Sequence, residues 1–175
     1  MKFFKLVTRV INYSRCKIYK YKFKSCGKNL RVFGSSEIWG NNITVGDNVS
    51  IYPGVNIWGN GKIVIGNNVA IGKDTIVFSN KSIIIEDNTL IAGQAYIIDS
   101  DHNFATANQL IREQGVTSES ITIKSDVWIG AGTKILKGVT IEKGAVIGAN
   151  SLVNKDIEEY SINVGSPTKA VGSRK

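Results

Sequence analysis

Isoleucine or valine returns at every sixth position over most of this 175-residue chain. Val45, Ile51 and Ile57 stand six apart, and Ile65, Ile71 and Val77 do the same after a two-residue insertion. A second such insertion leads to Ile85, Ile91 and Ile97. Beyond an interruption, Ile123, Ile129, Ile135, Ile141, Ile147 and Val153 follow without a gap. Two positions before most of these lies another apolar or small residue, such as Val49, Val69, Thr75, Thr89, Ala95, Val127, Thr133, Ala145 or Ser151. Glycine often follows the isoleucine, at Gly46, Gly66, Gly72, Gly130 and Gly148, with Asn and Asp close behind.

A period of six excludes a helix, because 3.6 residues per turn would scatter these side chains over every face. An antiparallel sheet would need hairpin turns at irregular spacings. Six residues suit a short strand plus a tight corner, where Gly, Asn and Asp accept the backbone angles required. Three such sides close a triangular coil of about eighteen residues, and successive coils stack as parallel strands ~4.8 Å apart. The large residue of each side then stacks on its equivalent in the next coil, which gives a core of aliphatic ladders that needs several coils to be stable. The fold expected is an all-β solenoid, a parallel β-helix, with each two-residue insertion enlarging one corner.

The rest of the composition narrows the class. No apolar run approaches the roughly 18–20 residues of a membrane span, and a secretory leader pattern is not seen, so a cytoplasmic location is expected. Cys16 and Cys26 are too few for a disulfide framework and lack the partners of a zinc site. The net charge is +8, and no acidic residue precedes Glu37. Residues 1–29 therefore form a basic arm. Phe3, Leu6, Val7 and Val10 predict a short helix within 2–14, and the alternation from Tyr19 to Phe23 predicts a half-exposed strand. Such an arm either caps the open end of the solenoid or docks on an anionic glycan or membrane surface. No nucleic-acid recognition motif accompanies it, so no nucleic-acid partner is expected.

Two segments, "IEDNTLIAGQAYIIDSDHNF" and "ITIKSDVWIGAGTKILKGVTIEKGAVIGANSLVNKDIEEYSINVGSPTKAVG", resemble the hexapeptide-repeat acyltransferases. The resemblance covers roughly residues 30–172 and is strongest to the branch of maltose, galactoside and surface-polysaccharide O-acetyltransferases. It implies a left-handed β-helix and a homotrimer with active sites between subunits. It also implies transfer of an acetyl group from acetyl-CoA to a sugar hydroxyl, or to an amine.

His102, the chain's only histidine, stands where the period breaks. It follows the strand that ends at Ile97 and Ile98, and residues 99–120 leave the ladder as a long loop, as a segment covering a site would. Asp99 and Asp101 flank it, and either could orient the ring and stabilise its charged form. A sugar hydroxyl must lose its proton as it attacks a thioester, and an imidazole can take that proton and hand it to the departing thiolate. Direct transfer is the simpler expectation, because the only thiols lie in the basic arm. One histidine cannot supply the usual zinc ligand set, so no metal is expected. The family places an asparagine or a backbone amide at the developing oxyanion, one coil earlier. Asp74 falls near that asparagine position and cannot donate when ionised, which leaves Asn80 and a backbone amide as alternatives.

On the coenzyme side the resemblance carries over Trp128, Gly130 and Ala131 from "DVWIGAG" to the channel, and Ala149, Asn154 and Lys155 from "IGANSLVNKDI" to the pantetheine and phosphates. Lys169 in "GSPTKAVG" matches the basic residue at the 3′-phosphate, acting as a point charge. Asn103 and Arg112 in the loop are candidates to hold the acceptor. Three readings follow: an O-acetyltransferase of surface-polysaccharide sugars, an N-acetyltransferase of an amino sugar or xenobiotic, and a non-catalytic scaffold of the same fold.

Overall fold

The computed structural model describes residues 11 and 13–175. Phe3, Leu6, Val7 and Val10, on which the helix over 2–14 was expected, lie outside these residues. The hexads form three parallel faces. The first carries Ser25–Cys26, Ile43–Val45, Lys62–Ile65, Ser82–Ile85, Ile121–Ile123 and Thr140–Ile141. The second carries Arg31–Val32, Ser50–Ile51, Ala70–Ile71, Leu90–Ile91, Trp128–Ile129, Val146–Ile147 and Ser161–Val164. The third carries Glu37–Trp39, Asn56–Trp58, Ile76–Phe78, Tyr96–Ile98, Lys134–Ile135 and Leu152–Val153. About seven turns of solenoid result.

Packing follows the periodicity. Ile51, Ile71, Ile91, Ile129 and Ile147 pair in register along the second face, and Ile57, Val77, Ile97 and Ile135 along the third, all of them buried. Ile85 pairs directly with Ile123, so the ladder passes over the whole interruption. Small residues such as Thr75, Ala95, Thr133 and Ser151 fill the narrow corners. At one corner Asn48, Asn68 and Asn88 adopt positive φ, which asparagine tolerates better than most residues. Their side-chain amides also bond from coil to coil at 3.0 Å, so this column is fixed twice.

The solenoid's ends are treated differently. At the last turn, Ile147 pairs with Asn163, whose side chain bonds to Ser161 Oγ, and the aliphatic ladder stops there. The strand Lys169–Ser173 then pairs antiparallel on Ser161–Val164 and covers the edge. At the first turn, residues 13–20 are helical. Tyr19 does not begin a strand as its alternation with lysine predicts. Its hydroxyl donates to Ser36 O and accepts from Ser36 N–H, and Phe23 is buried, so these aromatic rings cover the first coil rather than alternate across a sheet. Among the described residues the first strand starts only at Ser25. Among the described residues no helix is long and apolar enough to cross a membrane.

Candidate functional site

Residues 99–120 form an ordered excursion rather than an irregular loop. Ser100–His102 pair antiparallel with Val116–Ser118, in the register Ser100 to Ser118 and His102 to Val116. Ile111–Glu113 form one 3₁₀ turn at the far side. The interior of the excursion is closed by its own amides. Asn103 Nδ2 donates to Gln114 O and Asn103 Oδ1 accepts from Thr117 Oγ1, while the Gln114 side chain bonds to Thr106 and Gln109. His102 is thus presented, exposed, on a rigid two-stranded arm.

The two flanking carboxylates do different work from the one expected of them. Asp99 is fully buried. Its Oδ2 accepts from Ser79 Oγ at 2.7 Å, Lys81 N–H at 2.9 Å and Ser82 N–H at 2.8 Å, and its Oδ1 from Asn80 N–H at 2.7 Å. Four donors saturate it, so Asp99 anchors the root of the hairpin to the coil below instead of orienting the imidazole. Asp101 precedes His102 in the same strand, and successive side chains of a strand point to opposite faces. Its carboxylate lies 3.8 Å from Lys137 Nζ. Neither aspartate is placed as the partner of His102.

Lys137, which the sequence did not single out, ties the hairpin to the next coil. Its Nζ bonds Glu119 Oε1 at 2.9 Å. That hydrogen bond, with the lysine's charge, holds the Glu119 carboxyl below the usual glutamate range, and the same bond raises Lys137. Gly138 N–H also donates to Glu119 O, and Glu119 N–H to Asp99 O. Both strands of the hairpin are therefore clamped at their root, from the coil below and from the coil above.

Several of the remaining candidate residues fall on two edges of the prism. The hairpin leaves from the edge between the third and first faces, where Asn80 stands one coil before it, Lys137 one coil after it, and Asn154 and Lys155 together on the coil after that. Asn80 Nδ2 donates to Ser100 Oγ at 3.2 Å, so this amide stands at the hairpin root. Gly130, Ala131 and Ala149 lie on the edge between the second and third faces. A Cβ at Gly130 would meet Ala149 N at 2.5 Å, so the glycine permits close stacking of these corners. Trp128 projects outward from the second face between Leu90 and Val146, 54% exposed. Asp74 lies on that second edge, paired with Lys73 at 3.1 Å, and is not one coil below His102 as its alignment with the family's asparagine suggested. Lys169 is exposed in the terminal antiparallel strand opposite Val164. Arg112 is exposed in the 3₁₀ turn, whereas the Asn103 amide is engaged within the hairpin and is not displayed to an acceptor. No group of three or more metal-ligating side chains occurs among the described residues.

The hexads match two known repeat families: "Bacterial transferase hexapeptide (six repeats)" over residues 120–155 and "Hexapeptide repeat of succinyl-transferase" over 62–97. A probable acetyltransferase of Mycobacterium tuberculosis is 39% identical over 79 residues, which are 45% of this chain and 26% of that protein. A chloramphenicol acetyltransferase of Klebsiella aerogenes is 37% identical over 79 residues, 45% of this chain and 36% of that one. The chain thus spans about a quarter to a third of these curated relatives. Among solved structures, a variant of the N-acyltransferase AntD from Bacillus cereus, in complex with dTDP and coenzyme A, superposes with a TM-score of 0.80 at 25% identity, over 91% of this chain and 89% of that one. A maltose O-acetyltransferase from Clostridium difficile 630 gives 0.69 at 28% identity, over 99% and 86%. Its repeats are thus those of the hexapeptide-repeat transferases in two segments, and its fold is similar almost end to end to that of hexapeptide-repeat acyltransferases.

Proposed function

We propose that this protein transfers an acetyl group from acetyl-CoA to a hydroxyl of a bacterial surface-polysaccharide sugar or its precursor. The observation that carries the reading is the lone His102, held exposed on a hairpin whose root is clamped on both sides. In direct transfer the imidazole takes the hydroxyl proton as that oxygen attacks the thioester carbonyl. The new C–O bond forms, the C–S bond breaks, and the proton passes to the CoA thiolate. Asn80 at the hairpin root is the group best situated to donate to the oxyanion.

Gly130, Ala131, Ala149 and Trp128 would border the coenzyme, with Asn154, Lys155 and Lys169 toward its phosphates. Gly130, Ala131 and Ala149 lie one face away from the edge that carries His102, and this separation supports a homotrimer in which one subunit's histidine meets its neighbour's coenzyme. Exposed Ile18 and Tyr21 beside exposed Lys17, Lys20 and Lys24 support a cytoplasmic enzyme working at the inner face of the membrane.

The test is thiol release from acetyl-CoA with a panel of sugars and surface glycans, joined to intact-mass analysis of protein exposed to acetyl-CoA alone. Release that depends on an acceptor, with no acetyl adduct on the protein, is the expected result. A stable acetyl adduct would overturn direct transfer, and coenzyme binding without release on any saccharide would overturn the acceptor class. A second reading, N-acylation of a nucleotide-linked amino sugar, is favoured by the likeness to an AntD variant in complex with dTDP-4-amino-4,6-dideoxyglucose and coenzyme A, 26% identical over 91% of this chain. Turnover of an amino sugar and not of its hydroxyl counterpart would decide for it.

A further inference from the structure

The third face carries a column of outward aromatic side chains that the proposed chemistry does not use. Trp39, Trp58 and Phe78 pair in register on consecutive coils. Trp39 is 64% exposed, while Trp58 and Phe78 are half-buried with ring centroids 5.5 Å apart. Two shallow hollows run along the column, one of about 400 Å³ at Trp39 and Trp58 and one of about 300 Å³ reaching Phe78 and Asn80. The apolar rings are bordered by hydrogen-bonding side chains, Glu37 and Asn56 on one side and Asn60 and Asn80 on the other. At the arm's end Lys22 Nζ stands 4.8 Å from the Trp39 ring. At the opposite end the column leads into the hairpin: Asp99 N–H donates to Phe78 O, and Asn80 reaches Ser100.

We infer that this column is a track for a saccharide chain, which it feeds toward His102. The inference rests on the sugar-acceptor reading above and extends it from a single acceptor unit to a polymer. A pyranose ring has an apolar C–H face and a rim of hydroxyls. Stacking that face on an aromatic ring removes apolar area from water, while the amides along the edges satisfy the hydroxyls that would otherwise lose their solvent partners. A purely apolar strip would instead fit a protein partner's core. The interleaving of rings with carboxamides, and a coil rise of ~4.8 Å that is close to the length of one sugar unit, favour a glycan.

The experiment compares the parent with Trp39→Ala and Trp58→Ala, using acetyl-CoA as donor. Acceptors are neutral and acidic bacterial surface polysaccharides, together with the mono- and disaccharides released from each. Trp39 is the more exposed, so its variant keeps the test alive if Trp58→Ala lowers stability. For polymer, both variants are expected to raise KM about tenfold at unchanged kcat, and for monosaccharide neither constant is expected to move. Equal KM for polymer in parent and variants overturns the track. So does loss of a trimer in light scattering, which would make this face a contact between copies. If the parent acetylates no saccharide, the transfer reading fails. The track then stands only if the polymers quench tryptophan fluorescence of the parent, and it falls if none does.

Discussion

Asp99 is a carboxylate with four donors and no access to solvent. Asp99→Ala would leave Ser79 Oγ and three backbone N–H groups without an acceptor inside the protein. The expected loss of stability is about 3 kcal/mol or more, read as a lowered midpoint in thermal or urea unfolding. Unchanged stability would mean that the anchor is dispensable. The role was legible in principle, since Ser79 and Asp99 are twenty residues apart, the length of one enlarged coil, and so are stacked neighbours. Proximity along the chain to His102 hid it. Gly130 was read as a coenzyme contact, and its backbone makes a structural demand as well, because any Cβ there meets the Ala149 amide. Gly130→Ala is expected to destabilise by roughly 1–3 kcal/mol before any effect on coenzyme binding, and a binding assay on the folded fraction separates the two effects.

The hairpin over 99–120 was expected as a covering loop, and its regular pairing and its clamp were not. Periodicity reports only those residues that return to the ladder, so it is blind to Glu119 and Lys137, whose contact exists because the excursion folds back on itself. The sign of the clamp's pH dependence follows from the two shifts. Glu119 is lowered, so its contribution is fully present above the ordinary glutamate range and is lost as pH falls through the depressed value. Lys137 is raised, so its contribution is present below the ordinary lysine range and is lost as pH rises through the elevated value. The pair therefore holds across the neutral range. Lys137→Met is expected to speed amide exchange in Val116–Ser118, after correction for intrinsic rates, and to leave the solenoid strands unchanged. Uniform exchange in parent and variant would show that the amides inside the hairpin suffice.

The molecule as a whole is a stack whose layers depend on their neighbours. The ladders, the three faces and the enlarged corners were all readable from six-residue spacing, because each inward position repeats the same contact. A cap from the basic arm was one of the two alternatives read from the sequence, but how each end is closed was not legible, since a terminal coil breaks the repeat and is closed by whatever the flanking chain offers: here Tyr19 and Phe23 at one end and Lys169–Ser173 at the other. Removing residues 1–24 uncovers the first coil and is expected to lower the unfolding midpoint. An unchanged midpoint together with weaker vesicle binding would assign the arm to docking alone. In the middle of the stack, Ile97→Ala is expected to cost about 2–5 kcal/mol by opening a cavity beneath the hairpin. The most direct measurement is acceptor-dependent thiol release by the parent and by His102→Ala, with acetyl-CoA affinity determined in parallel. The expected outcome is a fall in kcat of about 10²–10⁴-fold with coenzyme affinity unchanged. Equal turnover in the two proteins would contradict the assignment of His102 as the base.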